Sequence, residues 1–137
     1  MDIHAAVSTI MTSDLITVAP SDELTKVKEI FAERSFHHIP VVDDGEVVGI
    51  ISKSDYLYFL RGTGKSEVDR FIEATKLRSY KVQEIMKGDL IMLDPNDEIK
   101  EALDLFEKKE FRCIPVAEEG ILKGLITPYD IIKALNK

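Results

Sequence analysis

The feature that most constrains this chain is an internal repeat with an offset of 75 positions. About a third of the aligned positions are identical, and the offset never slips by a residue. The recurring residues include Met11/Met86, Pro20/Pro95, Phe31/Phe106, Phe36/Phe111, Ile39/Ile114, Pro40/Pro115, Val41/Val116, Gly45/Gly120, Gly49/Gly124 and Asp55/Asp130. A fixed period means two copies of one structural unit, which sets the architecture before any local pattern does. We expect the copies to stack about a pseudo-twofold axis with two clefts between them.

Composition excludes several classes of protein. The 137 residues suit one compact module, with hydrophobic and charged fractions of 45% and 31%. No apolar run approaches the roughly 20 residues that span a bilayer, and the first residues lack a secretory signal. Cys113 is the only cysteine, which fits a reducing compartment. A net charge of −7 argues against nucleic-acid binding. We therefore expect a cytoplasmic protein with neither a membrane nor a nucleic-acid partner.

Each copy is predicted to be an α/β unit of order β-α-β-β-α, with a small mixed sheet packed by two helices. Apolar periodicity, Pro20, and the turn at Asp43-Asp44-Gly45 carry this prediction. In the first copy the strands are Leu15–Val18, Phe36–Val42 and Glu46–Ser52, with helices from Ser21 or Asp22 and after Ser52. In the second copy the strands are Leu90–Leu93, Arg112–Ala117 and Leu122–Ile126, with helices over Asp97–Lys109 and from Pro128. The first strand-helix-strand connection should be parallel.

The predicted domain organisation is repeat one over 1–60, a linker over 61–81 and repeat two over 82–137. The linker contains Val68, Phe71, Ile72 and Leu77 at helical spacing, which predicts a further amphipathic helix. Gly64-Lys65-Ser66 looks like the end of a phosphate-binding P-loop, but Phe59 stands where that motif requires glycine. A flexible, solvated linker is the favoured interpretation of these three residues.

Ser52-x-x-Asp55 and Thr127-x-x-Asp130 each lie where the third strand leads into the last helix. The structural interpretation is a helix-capping box, in which the hydroxyl accepts from an amide and the acid reaches back. The functional interpretation uses the same geometry, because a helix amino terminus attracts phosphate and a nearby carboxylate can accept from ribose hydroxyls. The local pattern alone leaves both interpretations open.

Three motifs in order, twice, carry a family resemblance. They are Val7-x-x-Ile10-Met11-Thr12, Phe36-His37-His38-Ile39-Pro40-Val41-Val42-Asp43 and Gly49-Ile50-Ile51-Ser52-x-x-Asp55. Their counterparts are Val82-x-x-Ile85-Met86, Phe111-Arg112-Cys113-Ile114-Pro115-Val116 and Gly124-Leu125-Ile126-Thr127-x-x-Asp130. Together they resemble a pair of cystathionine-β-synthase (CBS) domains, which covers nearly the whole chain and implies a stand-alone Bateman module.

That resemblance implies an adenosyl ligand bound in the clefts between the repeats. Asp55 and Asp130 would then hold ribose hydroxyls, and Ser52 and Thr127 would face phosphates. The backbone beside the adenine would come from Ile16, Thr17 and Val18 and from Ile91, Met92 and Leu93. Basic contacts would come from His37 and Arg112, and further polar groups from His38 and Lys53. The apolar walls of the clefts would be Ile39, Pro40, Val41, Ile114, Pro115 and Val116. Because Cys113 replaces His38 and Pro128 replaces Lys53, the two sites are unequal, and we favour the one centred on Asp55.

Histidine and cysteine do not predict a metal or catalytic site here. His37 and His38 are adjacent on a predicted strand, so their side chains point to opposite faces and cannot share one ion. His4 is remote in sequence. For Cys113 a buried thiol is favoured over a nucleophile.

Three classes of function follow. The favoured one is a regulatory module that senses AMP, ADP, ATP or S-adenosylmethionine, with magnesium only for a polyphosphate. The resemblance also implies a homodimer and an effector protein. The second class is a constitutive dimerisation or scaffolding module without a ligand. The third is an enzyme, a hydrolase using Asp55 with a histidine, which we disfavour because no nucleophile, base and orienting group come together in the sequence.

Overall fold

The chain divides into two units that each draw on several sequence segments, in a computed structural model that describes residues 1–137. The Asp55 unit comprises Ile16–Asp43 and Val48–Asp89. The Asp130 unit comprises Met1–Leu15, Asp44–Val47 and Leu90–Lys137. The first residues of each copy therefore pack with the other copy: residues 1–15 belong to the Asp130 unit, and residues 82–89, with the linker, belong to the Asp55 unit.

Six α-helices and four strands form the regular structure. In chain order they are α1 Leu24–Glu33, β1 His38–Asp43, β2 Glu46–Ser52, α2 Lys53–Phe59, α3 Glu67–Ser79, α4 Val82–Ile85, α5 Ile99–Glu107, β3 Ile114–Glu118, β4 Ile121–Ile126 and α6 Pro128–Leu135, after a short 3-10 helix at Val7–Thr9. The mixed α/β class predicted from the sequence is confirmed.

In the Asp55 unit, β1 and β2 are hydrogen-bonded neighbours, and α1 packs against α3. The core is formed by buried residues of both strands and of the helices: Val18, Leu24, Val27, Ile30, Phe31, Ile39, Val41, Ile51, Tyr56, Leu60, Leu77 and Val82. One fully buried residue, Val82, comes from the segment after the linker. That segment is therefore part of this core.

In the Asp130 unit, β3 and β4 pair antiparallel, with Ile114 opposite Ile126 and Val116 opposite Gly124. Glu46 at the start of β2 pairs antiparallel with Ile121 of β4. The core consists of Val7, Leu93, Ile99, Ala102, Ile114, Val116 and Ile126.

Backbone hydrogen bonds repeat with the same offset of 75 as the sequence. The Val82 amide donates to the Asp22 carbonyl at 2.8 Å, and the Val7 amide donates to the Asp97 carbonyl at 2.7 Å. Likewise the Asp22 carboxylate accepts from the Ala19 amide, as the Asp97 carboxylate accepts from the Asp94 amide. The Ala19 hydrogen bond lowers the pKa of Asp22, because it favours the charged carboxylate. These aspartates stabilise a turn before the helix, which is why α1 and α5 begin two residues later than predicted.

The first predicted strand of each copy is much shorter than expected. Leu15–Val18 contributes one parallel bridge, Val18 with Val41, and Leu90–Leu93 contributes one, Leu93 with Val116. Pro20 or Pro95, two residues after each bridge, has no amide to donate and prevents further pairing in that direction, whereas residues 15–17 and 90–92 before the bridges do not pair in the ladder. The parallel direction is as predicted.

The linker carries the predicted amphipathic helix as α3, although only Leu77 of its apolar residues is buried. The Ser66 hydroxyl accepts from the Asp69 amide at 3.1 Å and donates to the Asp69 carboxylate at 2.8 Å. Gly64 lies beside that same carboxylate. Ser66 is therefore the N-cap of α3, and the exposed Gly64 and Lys65 precede it; a flexible linker at these residues stays a prediction.

Candidate functional site

The Asp55 corner, at the junction of β2 and α2, has a carboxylate that nothing in the protein engages. The Ser52 hydroxyl caps α2 by accepting from the Asp55 amide at 2.9 Å. The Asp55 carboxylate is exposed and does not reach back to any amide. Only the hydroxyl half of the predicted capping box is therefore formed, and both carboxylate oxygens are free to accept hydrogen bonds from a ligand.

Basic side chains lie at the same corner. The Lys53 amide donates to the His37 carbonyl at 2.8 Å, which fixes the residue before β1 beside the first residue of α2. His37 is exposed, and Lys53 and His38 are half-buried. The fold thus places the His37 backbone beside the start of α2, whose first and third residues are Lys53 and Asp55, although eighteen positions separate His37 from Asp55.

Of the segment predicted to flank adenine, the Val18 backbone is already engaged. Its amide donates to the Pro40 carbonyl at 3.1 Å and its carbonyl accepts from the Val42 amide at 2.8 Å. The Val18 side chain is buried, Ile16 is half-buried and Thr17 is exposed. Thr17 is accordingly the member of this segment whose polar groups are most accessible.

The residues predicted as apolar walls lie in the two cores. Ile39 and Val41 are fully buried in the Asp55 unit, and Ile114 and Val116 are fully buried in the Asp130 unit. Pro40 and Pro115 are buried as well. These side chains position the strands, and a ligand contact through them stays a prediction.

The Asp130 corner, at the junction of β4 and α6, is built differently. The Asp130 side chain is only 5% exposed. Its carboxylate accepts from the Thr127 amide at 2.8 Å, from the Thr12 hydroxyl at 2.7 Å and from the Thr127 hydroxyl at 3.2 Å. This acid therefore acts as a structural cap, and its hydrogen-bonding capacity is largely used by the protein.

Other candidate residues of the second copy divide between surface and interior. Arg112 and Met92 are exposed, whereas Leu93 is buried and its backbone bonds the Pro115 carbonyl and the Ala117 amide. Burial, with a smaller contribution from the negative charge of Asp130, raises the pKa of the Cys113 thiol to about 12. Cys113 is thus a protonated thiol at neutral pH, in agreement with the structural interpretation.

Sequence reasoning missed Thr12 as a partner of Asp130. The two residues are 118 positions apart, and no local motif links them. The repeat contains a signal for this position, but it can be interpreted only once the Thr12–Asp130 contact is known. Thr12 follows Met11 as Lys87 follows Met86, so the duplicated unit has a variable polar residue at this place.

Two further findings concern sites of other kinds. No group of three or more His, Cys, Asp or Glu side chains is placed to hold a metal ion. His4 instead contacts Glu98, with 2.8 Å between Nδ1 and Oε1. None of the helices is both long and apolar enough to cross a bilayer.

Two copies of an α-β-β-α unit, each preceded by one parallel bridge and each with a Ser/Thr-x-x-Asp junction between its last strand and helix, define a tandem-repeat α/β module. The sequence model of the CBS domain matches residues 7–62 and again residues 82–137. The chain therefore belongs to the CBS domain family, and the resemblance seen in the sequence is confirmed.

Relatives in sequence are longer than this chain. It is 26% identical over 134 residues to the protein MJ1225 of Methanocaldococcus jannaschii, a match that covers 97% of this chain and 48% of that protein. It is 30% identical over 125 residues to inosine-5'-monophosphate dehydrogenase of Thermoplasma acidophilum, a match that covers 90% of this chain but 22% of the enzyme. The chain thus spans less than half the length of either relative.

Solved structures share the fold. The crystal structure of MJ1225, a candidate archaeal homolog of g-AMPK, superimposes with a TM-score of 0.81 at 26% identity and covers 98% of this chain and 49% of that one. CBSX2 from Arabidopsis thaliana, a CBS-pair protein, gives a TM-score of 0.81 at 25% identity over 96% of this chain and 94% of that one. CBSX2 in complex with AMP gives 0.78 at 24% identity over 96% of both chains.

Proposed function

We propose that this chain is a regulatory module that binds an adenosyl ligand at the Asp55 corner and transmits binding as a conformational change. The ligand would be AMP, ADP, ATP or S-adenosylmethionine. The observation that carries the proposal is the exposed Asp55 carboxylate, which has no hydrogen-bond donor from the protein although its counterpart Asp130 has three. Two free carboxylate oxygens are suited to accept from two adjacent ribose hydroxyls.

The surroundings of Asp55 support a phosphorylated ligand. His37 and Lys53 are basic residues whose backbones meet at the start of α2, two residues before Asp55, and the exposed Thr17 adds a hydroxyl in the same unit. The fold is compatible with such a ligand, since CBSX2 has been crystallised with AMP. Magnesium would be needed only if the ligand carries a polyphosphate.

Regulation requires that the ligand bind two states of the module with different affinities. A ligand of equal affinity for both states would shift nothing, however tightly it bound. The proposed module is non-catalytic, and an effector protein would read the shift.

A thermal-shift screen tests this proposal. At 100 times its dissociation constant, a ligand should add about 2.7 kcal/mol to the free energy of unfolding. For a chain of 137 residues we expect a rise in Tm of about 10 °C. Asp55→Ala should abolish this rise and leave the ligand-free Tm nearly unchanged. The matched control Asp43→Asn alters another exposed acid of the same unit and should keep the full rise.

Other outcomes would overturn the proposal. No shift with any of the four compounds would favour a constitutive scaffold, in which both junctions only cap helices. Turnover of a bound nucleotide, followed by chromatography, would favour an enzyme. Mass spectrometry of small molecules released on denaturation of the purified protein gives an independent readout.

A homodimer is also proposed for this module. Apolar side chains on two helices are exposed in the single chain: Leu57 and Tyr58 of α2, and Tyr129, Ile132 and Leu135 of α6. Exposed apolar surface of this kind favours an interface with another chain. Light scattering coupled to size-exclusion chromatography should give twice the monomer mass of 15.5 kDa, and a monomer would refute the dimer.

A further inference from the structure

Lys87 occupies, beside the Asp55 corner, the position that Thr12 occupies beside Asp130. In the Asp130 unit, Thr12 and Leu125 form an antiparallel bridge, and each amide donates to the other's carbonyl at 2.9 Å. In the Asp55 unit, Lys87 and Ile50 form the same bridge, at 2.9 and 3.0 Å. The backbone therefore places residues 12 and 87 equivalently.

The side chains of Thr12 and Lys87 differ in whether they contact the aspartate of their own unit. The bridge partners Leu125 and Ile50 each precede their aspartate by five residues. From this place the Thr12 hydroxyl reaches the Asp130 carboxylate at 2.7 Å. Lys87 is exposed and forms no ion pair with Asp55, and its ammonium stands on a flexible four-carbon stem. In the Asp130 unit the residue at this position is therefore hydrogen-bonded to the aspartate, and in the Asp55 unit it is not.

We propose that Lys87 is a specificity-determining residue of the Asp55 corner, which selects adenosyl ligands that carry a phosphate over uncharged adenosyl ligands. This inference rests on the proposed function. A flexible lysine ammonium can reach a bound anion and add a charge-assisted hydrogen bond. A threonine at position 87 would instead donate its hydroxyl to the Asp55 carboxylate, which would then be less available to a ligand. Lys87 is a third basic residue, after His37 and Lys53, whose backbone lies near this corner, on a chain of net charge −7.

Titration calorimetry with AMP and with adenosine tests the assignment, on the wild type and on Lys87→Gln, Lys87→Arg and Lys87→Thr. Wild type should bind AMP at least about tenfold more tightly than adenosine, because a hydrogen bond between charged groups is worth 1.5–3 kcal/mol. Lys87→Gln should lose about tenfold for AMP and leave adenosine unchanged, and Lys87→Arg should restore AMP binding. Lys87→Thr should weaken both ligands, because its hydroxyl would engage Asp55. Lys65→Gln, an equal charge change in the linker, should alter neither affinity.

The outcomes separate this inference from the proposed function. If wild type binds AMP and Lys87→Gln leaves the AMP-to-adenosine ratio unchanged, the role of Lys87 is refuted and the proposed function stands. If Lys87→Gln weakens both ligands equally, Lys87 acts on the structure of the corner rather than on charge selection, which also refutes it. If wild type binds neither compound, the assignment of Lys87 is refuted, and the proposed function then depends on ADP, ATP or S-adenosylmethionine giving a shift in the thermal screen. The Tm of each variant, measured without ligand, verifies that it is folded.

Discussion

The two strand-to-helix junctions of this protein form the same capping motif to different extents, with only the hydroxyl half at Ser52 and a capping box at Thr127. At Ser52 the hydroxyl accepts from the Asp55 amide, and the acid is left free. At Thr127 the acid of Asp130 accepts from the amide, and the threonine hydroxyl adds only a long 3.2 Å contact to that acid. One motif, duplicated, has thus become a polar corner open to solvent in one unit and a buried structural cap in the other. A conserved pair of residue types therefore does not imply two equal sites.

The largest contrast is expected when each aspartate is removed. Asp130→Ala should lower the free energy of unfolding by about 2 kcal/mol, because it removes a cap and leaves the part-buried Thr127 amide and the Thr12 hydroxyl without their acceptor. Asp55→Ala should cost less than about 1 kcal/mol, the value of an exposed acid in the first turn of a helix. Urea unfolding of both variants measures the difference. Equal losses would show that the two corners are built alike.

Glycine substitution probes the strands next to these corners. A Cβ added at Gly124 would lie 2.7 Å from the Met11 sulfur and 2.9 Å from the Thr12 carbonyl oxygen. At Gly49 it would lie 2.6 Å from the Met86 sulfur and 3.1 Å from the Lys87 carbonyl oxygen. A methionine side chain can move, but a bridged backbone cannot. Gly124→Ala should therefore cost about 2 kcal/mol, within the usual range for overpacking, and Gly49→Ala less.

A control for this pair is Gly88→Ala, whose added Cβ would meet only the Val48 carbonyl oxygen at 3.7 Å, an ordinary contact. Thermal unfolding should find this variant as stable as the wild type. A stable Gly124→Ala would mean that the close approach of Thr12 to β4 relaxes at little cost.

Removing the hydroxyls should give the opposite order of stability losses from removing the acids, with the larger loss in the first copy. Ser52→Ala should lower the free energy of unfolding by about 1 kcal/mol, because the Ser52 hydroxyl is the N-cap of α2. Thr127→Ala should cost less, since the cap of α6 is provided by Asp130. Double variants that combine each hydroxyl with its own acid should be close to additive in the first copy and non-additive in the second. If the acid and the hydroxyl substitutions were both more destabilising in the second copy, the claim that Ser52 caps α2 while Asp130 caps α6 would be refuted.

The sequence was sufficient to predict the architecture, but not how the capping residues differ between the two copies. The 75-residue offset predicted a duplicated α/β unit and the strands β1 to β4, and the motifs in the two copies carried the resemblance to the CBS domain family. The first strand of each copy was predicted too long, because apolar runs at 15–17 and 90–92 do not show whether a neighbouring strand is there to pair with them. The state of each carboxylate depended on a residue 118 positions from Asp130, and no local pattern contains such a contact. The ligand-contact residues themselves remain predictions.

The smallest effect at neutral pH concerns the two cores, where Tyr56 stands in the Asp55 unit at the place of Ile131 in the other copy. Tyr56 is 6% exposed and packs on Phe31 with ring centroids 5.5 Å apart. Burial, with a smaller contribution from the negative charge of Glu73, raises the pKa of Tyr56 from 10.0 to about 12. The folded state thus holds the proton more tightly than the unfolded state, so this contribution to stability is complete below pH 10 and is lost as the pH rises toward 12. Absorbance at 295 nm should show one tyrosine ionising near pH 12, and Tyr56→Phe should remove that step and weaken the alkaline loss of stability. Ionisation of every tyrosine near pH 10 in the folded protein would show that the Tyr56 hydroxyl is accessible to water, and the two cores would then not differ in their response to alkaline pH.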